Sequence, residues 1–319
     1  MRRALTAACL LAATGAFAQQ RLPGPGANVV YGSDDRLDLY QVKDQKVLAL
    51  ADSTVALFEA SDVQVKDGVA ALTTHSYGGS YNLCKEEPFF EQEAGAFCSG
   101  SLVGPDLVMT AGHCVPSADA CPGVKFVFGF GLKSAGAQPK SVPAAEVYGC
   151  GQLLGREQDN AGADWALVKL DRPVTGHAPL KLDLGGTVAN GDFLFVIGHP
   201  AGLPTKVAGG AQVRDASPKG FFVANLDTYG GNSGSAVFNA KNGLVEGILV
   251  RGEQDFVYKG ECRVSNVCPA DGCRGEDVTK IGSVGFPPAA APAAPARLGP
   301  IAPALAALLE ANAQALSRR

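Results

Sequence analysis

CSGSLVGPDLVMTAGHC, residues 98–114, ends an apolar, strand-like run on an imidazole and a thiol side by side. Thr110, Ala111 and Gly112 are small enough to let His113 project from the strand end. A neighbouring histidine and cysteine can be a metal site, half of a redox motif, or a base pinned by a disulfide. The compartment decides how the cysteine is read.

The first twenty residues, MRRALTAACLLAATGAFAQQ, carry two arginines, an apolar stretch too short to span a bilayer, and Ala16-Phe17-Ala18 in the A-x-A form of a signal-peptidase site. Residues 1–18 are therefore expected to be a signal peptide and the protein to be secreted, extracellular or periplasmic. Cys9 does not fit a lipoprotein: too little apolar chain precedes it, and Thr6 stands where a branched apolar residue belongs. Cleavage leaves Cys84, Cys98, Cys114, Cys121, Cys150, Cys262, Cys268 and Cys273, an even set that reads as disulfides in an exported chain. There is no C-x-x-C, and His75, His113, His177 and His199 are scattered, so no metal and no cofactor is expected. Cys98 and Cys114 bracket a segment of hairpin length, and a bridge between them would anchor the loop that carries His113.

Some 300 mature residues suffice for one large all-β unit of roughly 200–250 residues. The formal charge is −4, and −6 once Arg2 and Arg3 are removed. With no basic block, nucleic acid is not an expected partner. No later apolar run reaches transmembrane length. Short segments rich in Val, Phe, Leu and Ile, bounded by Gly, Pro, Asn or Asp, recur at 55–60, 101–111, 124–130, 165–170, 192–198, 221–226, 235–239 and 244–250, the signature of a sandwich or barrel. Residues 286–300 read as a Pro/Ala linker. In 301–319, Ile301, Leu305, Leu308, Leu309 and Leu316 fall near helical spacing, which predicts a short amphipathic helix or tail.

Two further blocks complete a pattern. Asp164 opens the apolar strand DWALVKL, and Ser233 lies in YGGNSGS just before Ala236-Val237-Phe238. Amide hydrolysis by a serine needs a hydroxyl nucleophile, an imidazole to take its proton, and a carboxylate to fix the imidazole tautomer. It also needs backbone N–H groups aimed at the developing oxyanion, which a glycine beside the nucleophile can supply. The order His113, Asp164, Ser233 excludes the α/β-type esterases, which run Ser, Asp, His around G-x-S-x-G. His199, in Gly198-His199-Pro200, reads as a turn residue, and Trp165 as core beside Asp164.

CSGSLVGPDLVMTAGHC, ADWALVKL and DTYGGNSGSAV together resemble the chymotrypsin-type serine peptidases, and within them the bacterial branch that includes the glutamyl endopeptidases. The resemblance covers residues 29–285. It implies an all-β fold, a double six-stranded antiparallel β-barrel with the site in the cleft between barrels. His113 would be general base and then acid, Asp164 its orienter, Ser233 the nucleophile, and the N–H groups of Gly231 and Ser233 the oxyanion hole. VVYGSDDR resembles the mature start of those enzymes, so residues 19–28 would be a short propeptide. The implied partners are protein or peptide substrates of a monomer. The alternative is a catalytically silent, protease-like protein used for binding or adhesion.

For the primary pocket the resemblance leaves alternatives. Asp227, followed by Thr228, could line the pocket and select Arg or Lys, or could turn away and cap its loop. Leu249 stands where glutamyl endopeptidases carry a histidine, so glutamate preference is not implied. Arg251 could take that role, pair with Asp227, or stand free.

Overall fold

A computed structural model describes residues 29–286. The expected signal peptide, propeptide and C-terminal helix, and the linker beyond Phe286, lie outside the described residues.

Twelve strands form two closed antiparallel barrels. The first uses β1 (Thr54–Glu59), β2 (Cys98–Gly104), β3 (Leu107–Thr110), β4 (Val124–Val127), β5 (Val147–Gln158) and β6 (Asp164–Leu170), paired in the ring order β4-β5-β6-β3-β2-β1. The second uses β7 (Phe193–Gly198), β8 (Lys206–Asp215), β9 (Phe221–Ala224), β10 (Ala236–Asn239), β11 (Val245–Arg251) and β12 (Glu276–Lys280). Its order is β7-β10-β11-β12-β9-β8, closed by pairing of β7 with β8. Closure removes the unpaired edges that an open sheet would present.

Both barrels are filled from the apolar runs. Val55, Leu57, Leu102, Val108, Met109, Phe126, Leu167 and Val168 belong to one buried cluster that extends to Phe195, Phe238 and Ile248 of the second barrel. Leu194, Val196, Phe222, Leu226, Val237, Leu249 and Val278 form a second cluster. The run 101–111 is two strands: β2 and β3 are a hairpin whose turn is Pro105-Asp106, with Gly104 opposite Leu107.

The two barrels meet where the chemistry-bearing segments lie. His113 follows β3, Asp164 begins β6, and the loop 225–235 that carries Ser233 leads into β10. At their junction the Ser99 N–H of β2 donates to the Ser233 carbonyl at 2.8 Å. Preceding the barrels, Leu37–Asp38 adds to the edge of β8, and Val30–Tyr31 pairs in parallel with Val267–Cys268, which seats residues 30–38 on the second barrel.

Candidate active site

His113 and Asp164 are in contact: the carboxylate Oδ2 lies 2.8 Å from His113 Nδ1. Its other oxygen accepts the N–H groups of Gly112 at 2.6 Å and His113 at 3.2 Å, so the turn that carries the imidazole closes on the group that orients it. Gly112 is required by the close approach, because a Cβ there would sit 2.1 Å from the Glu157 carbonyl oxygen. The Asp164 side chain is buried, whereas the imidazole is about a third exposed, 4% against 32%. The carboxylate is thus shielded while the ring can meet a substrate.

Two residues of the second barrel hold this half of the site: Thr279, which the sequence did not single out, and Arg251, which it offered only for the primary pocket. The Thr279 hydroxyl of β12 lies 2.9 Å from both the N–H and the carbonyl of Asp164, accepting from one and facing the other as donor. Arg251 of β11 reaches the loop before Asp164, with Nη1 on the Asp159 carbonyl at 3.0 Å and Nη2 on that of Gly162 at 2.7 Å. Both are interbarrel contacts, invisible to local pattern.

Ser233 is half-buried, and its carbonyl oxygen lies 3.6 Å from Cys114 Sγ. The Ser233 backbone therefore rests against the residue next to His113. Among the described residues its hydroxyl has no hydrogen bond to His113. Such contacts are often long in a substrate-free site and tighten on binding.

The loop around Ser233 has four consecutive carbonyls held. Gly230 O accepts from Ala201 N at 2.5 Å, Gly231 O from Ser99 Oγ at 2.9 Å, Asn232 O from Ser235 N at 2.9 Å, and Ser233 O from Ser99 N at 2.8 Å. In a trans peptide the N–H points opposite to the carbonyl. Fixing Gly230 O and Asn232 O therefore aims the N–H groups of Gly231 and Ser233, which have no acceptor among the described residues.

Among the described residues four disulfides are present: Cys84–Cys262, Cys98–Cys114, Cys121–Cys150 and Cys268–Cys273. Cys98–Cys114 ties β2 to the His113 turn. Cys98, His113 and Cys114 offer possible ligand atoms within 4.8 Å of one another. Both sulfurs are consumed in the bridge, and a disulfide sulfur is not the thiolate that binds zinc.

The residues expected at the primary pocket each have partners elsewhere in the fold. Asp227 is buried with its carboxylate turned to the N-terminal segment, where it accepts from Tyr31 N at 2.7 Å and Asp35 N at 3.2 Å. It caps that loop, and a carboxylate so engaged is not the free anion that would select Arg or Lys. Thr228 is buried and donates to Glu276 Oε2 at 3.3 Å. Leu249 packs in the core cluster of the second barrel. Arg251 pairs with Asp277 at 3.0 Å, not with Asp227, because its strand neighbour across β12 supplies the carboxylate. His199 is wholly buried, and burial, with Lys206 nearby, pushes its imidazole down to about 3.

Asp35 and Asp227 form a buried carboxyl pair with Asp34 close by. Burial, and then its neighbour Asp227, hold Asp35 well above the usual carboxylate range. Burial, and then Asp34, also raise Asp227, to about 7. Arg36 acts in the opposite sense on Asp35 but is itself engaged by Asp34 at Nε and Nη2. The folded chain thus retains a proton that the unfolded chain releases near pH 4. The stability contributed by that proton is complete below pH 4 and is lost as pH rises toward 7 and beyond. Asp35→Asn replaces the shared proton by a permanent N–H. We expect thermal melts to show Tm within about 1 °C of the parent at pH 4 and about 5 °C higher at pH 8, the scale for a gain of one to two kcal/mol in a chain this size.

Residues 98–248 match the family model described as the trypsin-like peptidase domain. No curated protein matches the chain. Among solved structures, a Glu endopeptidase in complex with MPD is 16% identical, covering 79% of this chain and 93% of that one, with a TM-score of 0.46. The active form of the Rv3671c protease from M. tuberculosis is 16% identical, covering 85% and 93%, with a TM-score of 0.43, and its inactive form is 15% identical, covering 76% and 90%, at 0.42. The family match falls on the segment that runs from β2 through the Ser233 loop into β11, and over that segment the chain carries a trypsin-like peptidase domain.

Proposed function

We propose that the protein is a secreted serine endopeptidase that cleaves peptide bonds through an acyl-enzyme, with Ser233, His113 and Asp164 as its catalytic residues. The observation that carries the reading is the 2.8 Å contact of His113 Nδ1 with Asp164, whose second oxygen is held by two N–H groups of the same turn, inside a peptidase domain. Asp164 fixes the tautomer with the proton on Nδ1, which leaves Nε2 free as a base. Ser233 Oγ then attacks the substrate carbonyl carbon while His113 takes its proton. Collapse of the tetrahedral intermediate breaks the C–N bond, and His113 returns the proton to the leaving amine. Water, activated in the same way, releases the acid. The N–H groups of Gly231 and Ser233 would bind the oxyanion.

Four disulfides support an oxidising compartment, in keeping with export. Among the described residues no helix is long and apolar enough to cross a membrane.

A fluorophosphonate or sulfonyl fluoride reagent tests the reading. The expected result is stoichiometric modification, located at Ser233 by peptide mass analysis and absent from Ser233→Ala. A correctly folded parent that ignores the reagent, and cleaves no member of a peptide library, would point to the protease-like binding protein instead.

A further inference from the structure

We propose that Ser99 and His199 are positioning residues for oxyanion binding: a buried hydrogen-bond chain running Thr205, His199, Ser99 holds the Gly231 carbonyl, on the peptide between the two that carry the N–H groups of Gly231 and Ser233, and thereby keeps both of those peptides in place. The inference rests on the peptidase reading and deepens it.

The chain is assembled from four contacts. Thr205 Oγ1 lies 3.1 Å from His199 Nε2, and His199 Nδ1 lies 3.1 Å from Ser99 Oγ. Ser99 Oγ also accepts the His199 backbone N–H at 3.0 Å and donates to Gly231 O at 2.9 Å. Ser99, His199 and Thr205 are all buried, so water does not substitute for a missing partner.

The direction of the chain follows from counting hydrogens. A hydroxyl has one hydrogen and a neutral imidazole one N–H. If the Ser99 hydrogen is on Gly231 O, Ser99 Oγ must accept from His199 Nδ1–H, and Nε2 must accept from the Thr205 hydroxyl. The Thr205 hydroxyl also lies 2.9 Å from the Phe130 carbonyl, but that carbonyl keeps the Thr205 N–H at 2.8 Å when the hydroxyl hydrogen goes to Nε2, so every group is satisfied. In the reverse direction Nε2–H would donate to Thr205, whose hydroxyl would turn to Phe130 O as a second donor there, Ser99 would donate to Nδ1, and the buried Gly231 carbonyl would lose this donor. A buried carbonyl without a partner is the costlier arrangement. The neutral state that the count requires agrees with burial of the ring beside Lys206.

Ser99 acts twice on the same loop. Its N–H holds Ser233 O and its hydroxyl holds Gly231 O, which flank Asn232. Its own carbonyl is fixed by Thr110 Oγ1 at 2.7 Å, so the clamp is anchored in the first barrel. Ser99→Ala removes the hydroxyl contacts to Gly231 O and to His199 and leaves the backbone contact to Ser233 O. The Gly231-Asn232 peptide is then held only through its N–H, which donates to the Tyr229 carbonyl at 2.9 Å, and it can tilt about Gly231, a residue without the steric limits of a side chain.

The test uses the parent, Ser99→Ala and Thr205→Val, which removes the far end of the chain. Three quantities are read: kcat and KM on a peptide cleaved by the parent, the second-order rate of fluorophosphonate labelling, and Tm. Ser99→Ala is expected to lower kcat and the labelling rate together by about tenfold or more, with KM within about twofold, because the oxyanion exists only in the transition state. Thr205→Val is expected to move the same two quantities in the same direction by a smaller factor, about threefold. Unchanged kcat and labelling in Ser99→Ala would overturn the proposal, as would a loss that appears only as raised KM and lowered Tm. Failure of the parent itself to label would refute the peptidase reading instead, so the two failures are distinct.

Discussion

Asp164→Asn is expected to lower kcat by about 10⁴ while leaving the fold in place. The reason lies in how the two carboxylate oxygens are used. Oδ1 accepts two backbone N–H groups, from Gly112 and His113, and Oδ2 faces His113 Nδ1. An asparagine must keep its oxygen toward the two N–H donors, since an NH₂ there would face donors only. Its NH₂ is then forced against Nδ1, which must become an acceptor. The imidazole proton moves to Nε2, and the ring loses the lone pair that would take the serine proton. The turn keeps its backbone contacts, so Tm is expected to stay within a few degrees of the parent. Steady-state kinetics and a thermal melt check both halves. A loss in kcat below about tenfold would mean that His113 does not act as the base in this tautomer.

Much of the barrel framework was legible because apolar alternation and turn residues are local signals. Segments such as DFLFVIG and SAVFN lie on β7 and β10 within a residue or two. Other strands carry no such signal. β5 contains Gly149, Gly151 and Gly155 and several charged or polar residues, and its burial is mixed because part of it is an exposed ribbon past a bulged pairing with β6. β8 reads KVAGGAQVRD and β12 reads EDVTK, strands whose polar side chains are buried by partners distant in sequence, such as Asp38 for Lys206 and Arg251 for Asp277. Pairing across the sheet, not propensity, makes them strands.

The candidate site divides in the same way. His113, Asp164 and Ser233 stand out because each sits in a short motif whose neighbours must be small or must begin a strand. The direction in which Asp227 points is not a local property: it depends on where residues 31–35 dock. The same holds for Thr279, whose hydroxyl meets Asp164 from 115 residues away, and for Ser99, which looks like one more small residue in a strand. His199 was legible as a turn residue, yet its ring bonds to two hydroxyls that only the closed second barrel and the junction bring to it.

Gly231→Ala tests the oxyanion geometry more directly than any side-chain deletion. Gly231 has φ of +94°, a conformation that favours glycine. A Cβ built there would also lie 2.7 Å from both the Gly202 nitrogen and the His199 oxygen, backbone atoms that cannot swing aside as a side-chain tip can. The loop must therefore shift, and the peptide that moves is the one whose N–H would meet the oxyanion. Loss of one such donor costs about 3–4 kcal/mol of barrier, so kcat is expected to fall by about 10²–10³ with KM changed little. Some stability must also be lost through strain alone, and a control separates the two effects. Gly68 has φ of +79° with nothing within 4 Å of a built Cβ, so Gly68→Ala carries the backbone strain without the displacement. It is expected to lower Tm and leave kcat as in the parent. If Gly231→Ala keeps kcat within tenfold, the N–H at 231 is not the oxyanion donor, and the clamp through Ser99 loses its purpose with it. If both variants lose kcat alike, strain rather than donor placement governs the rate.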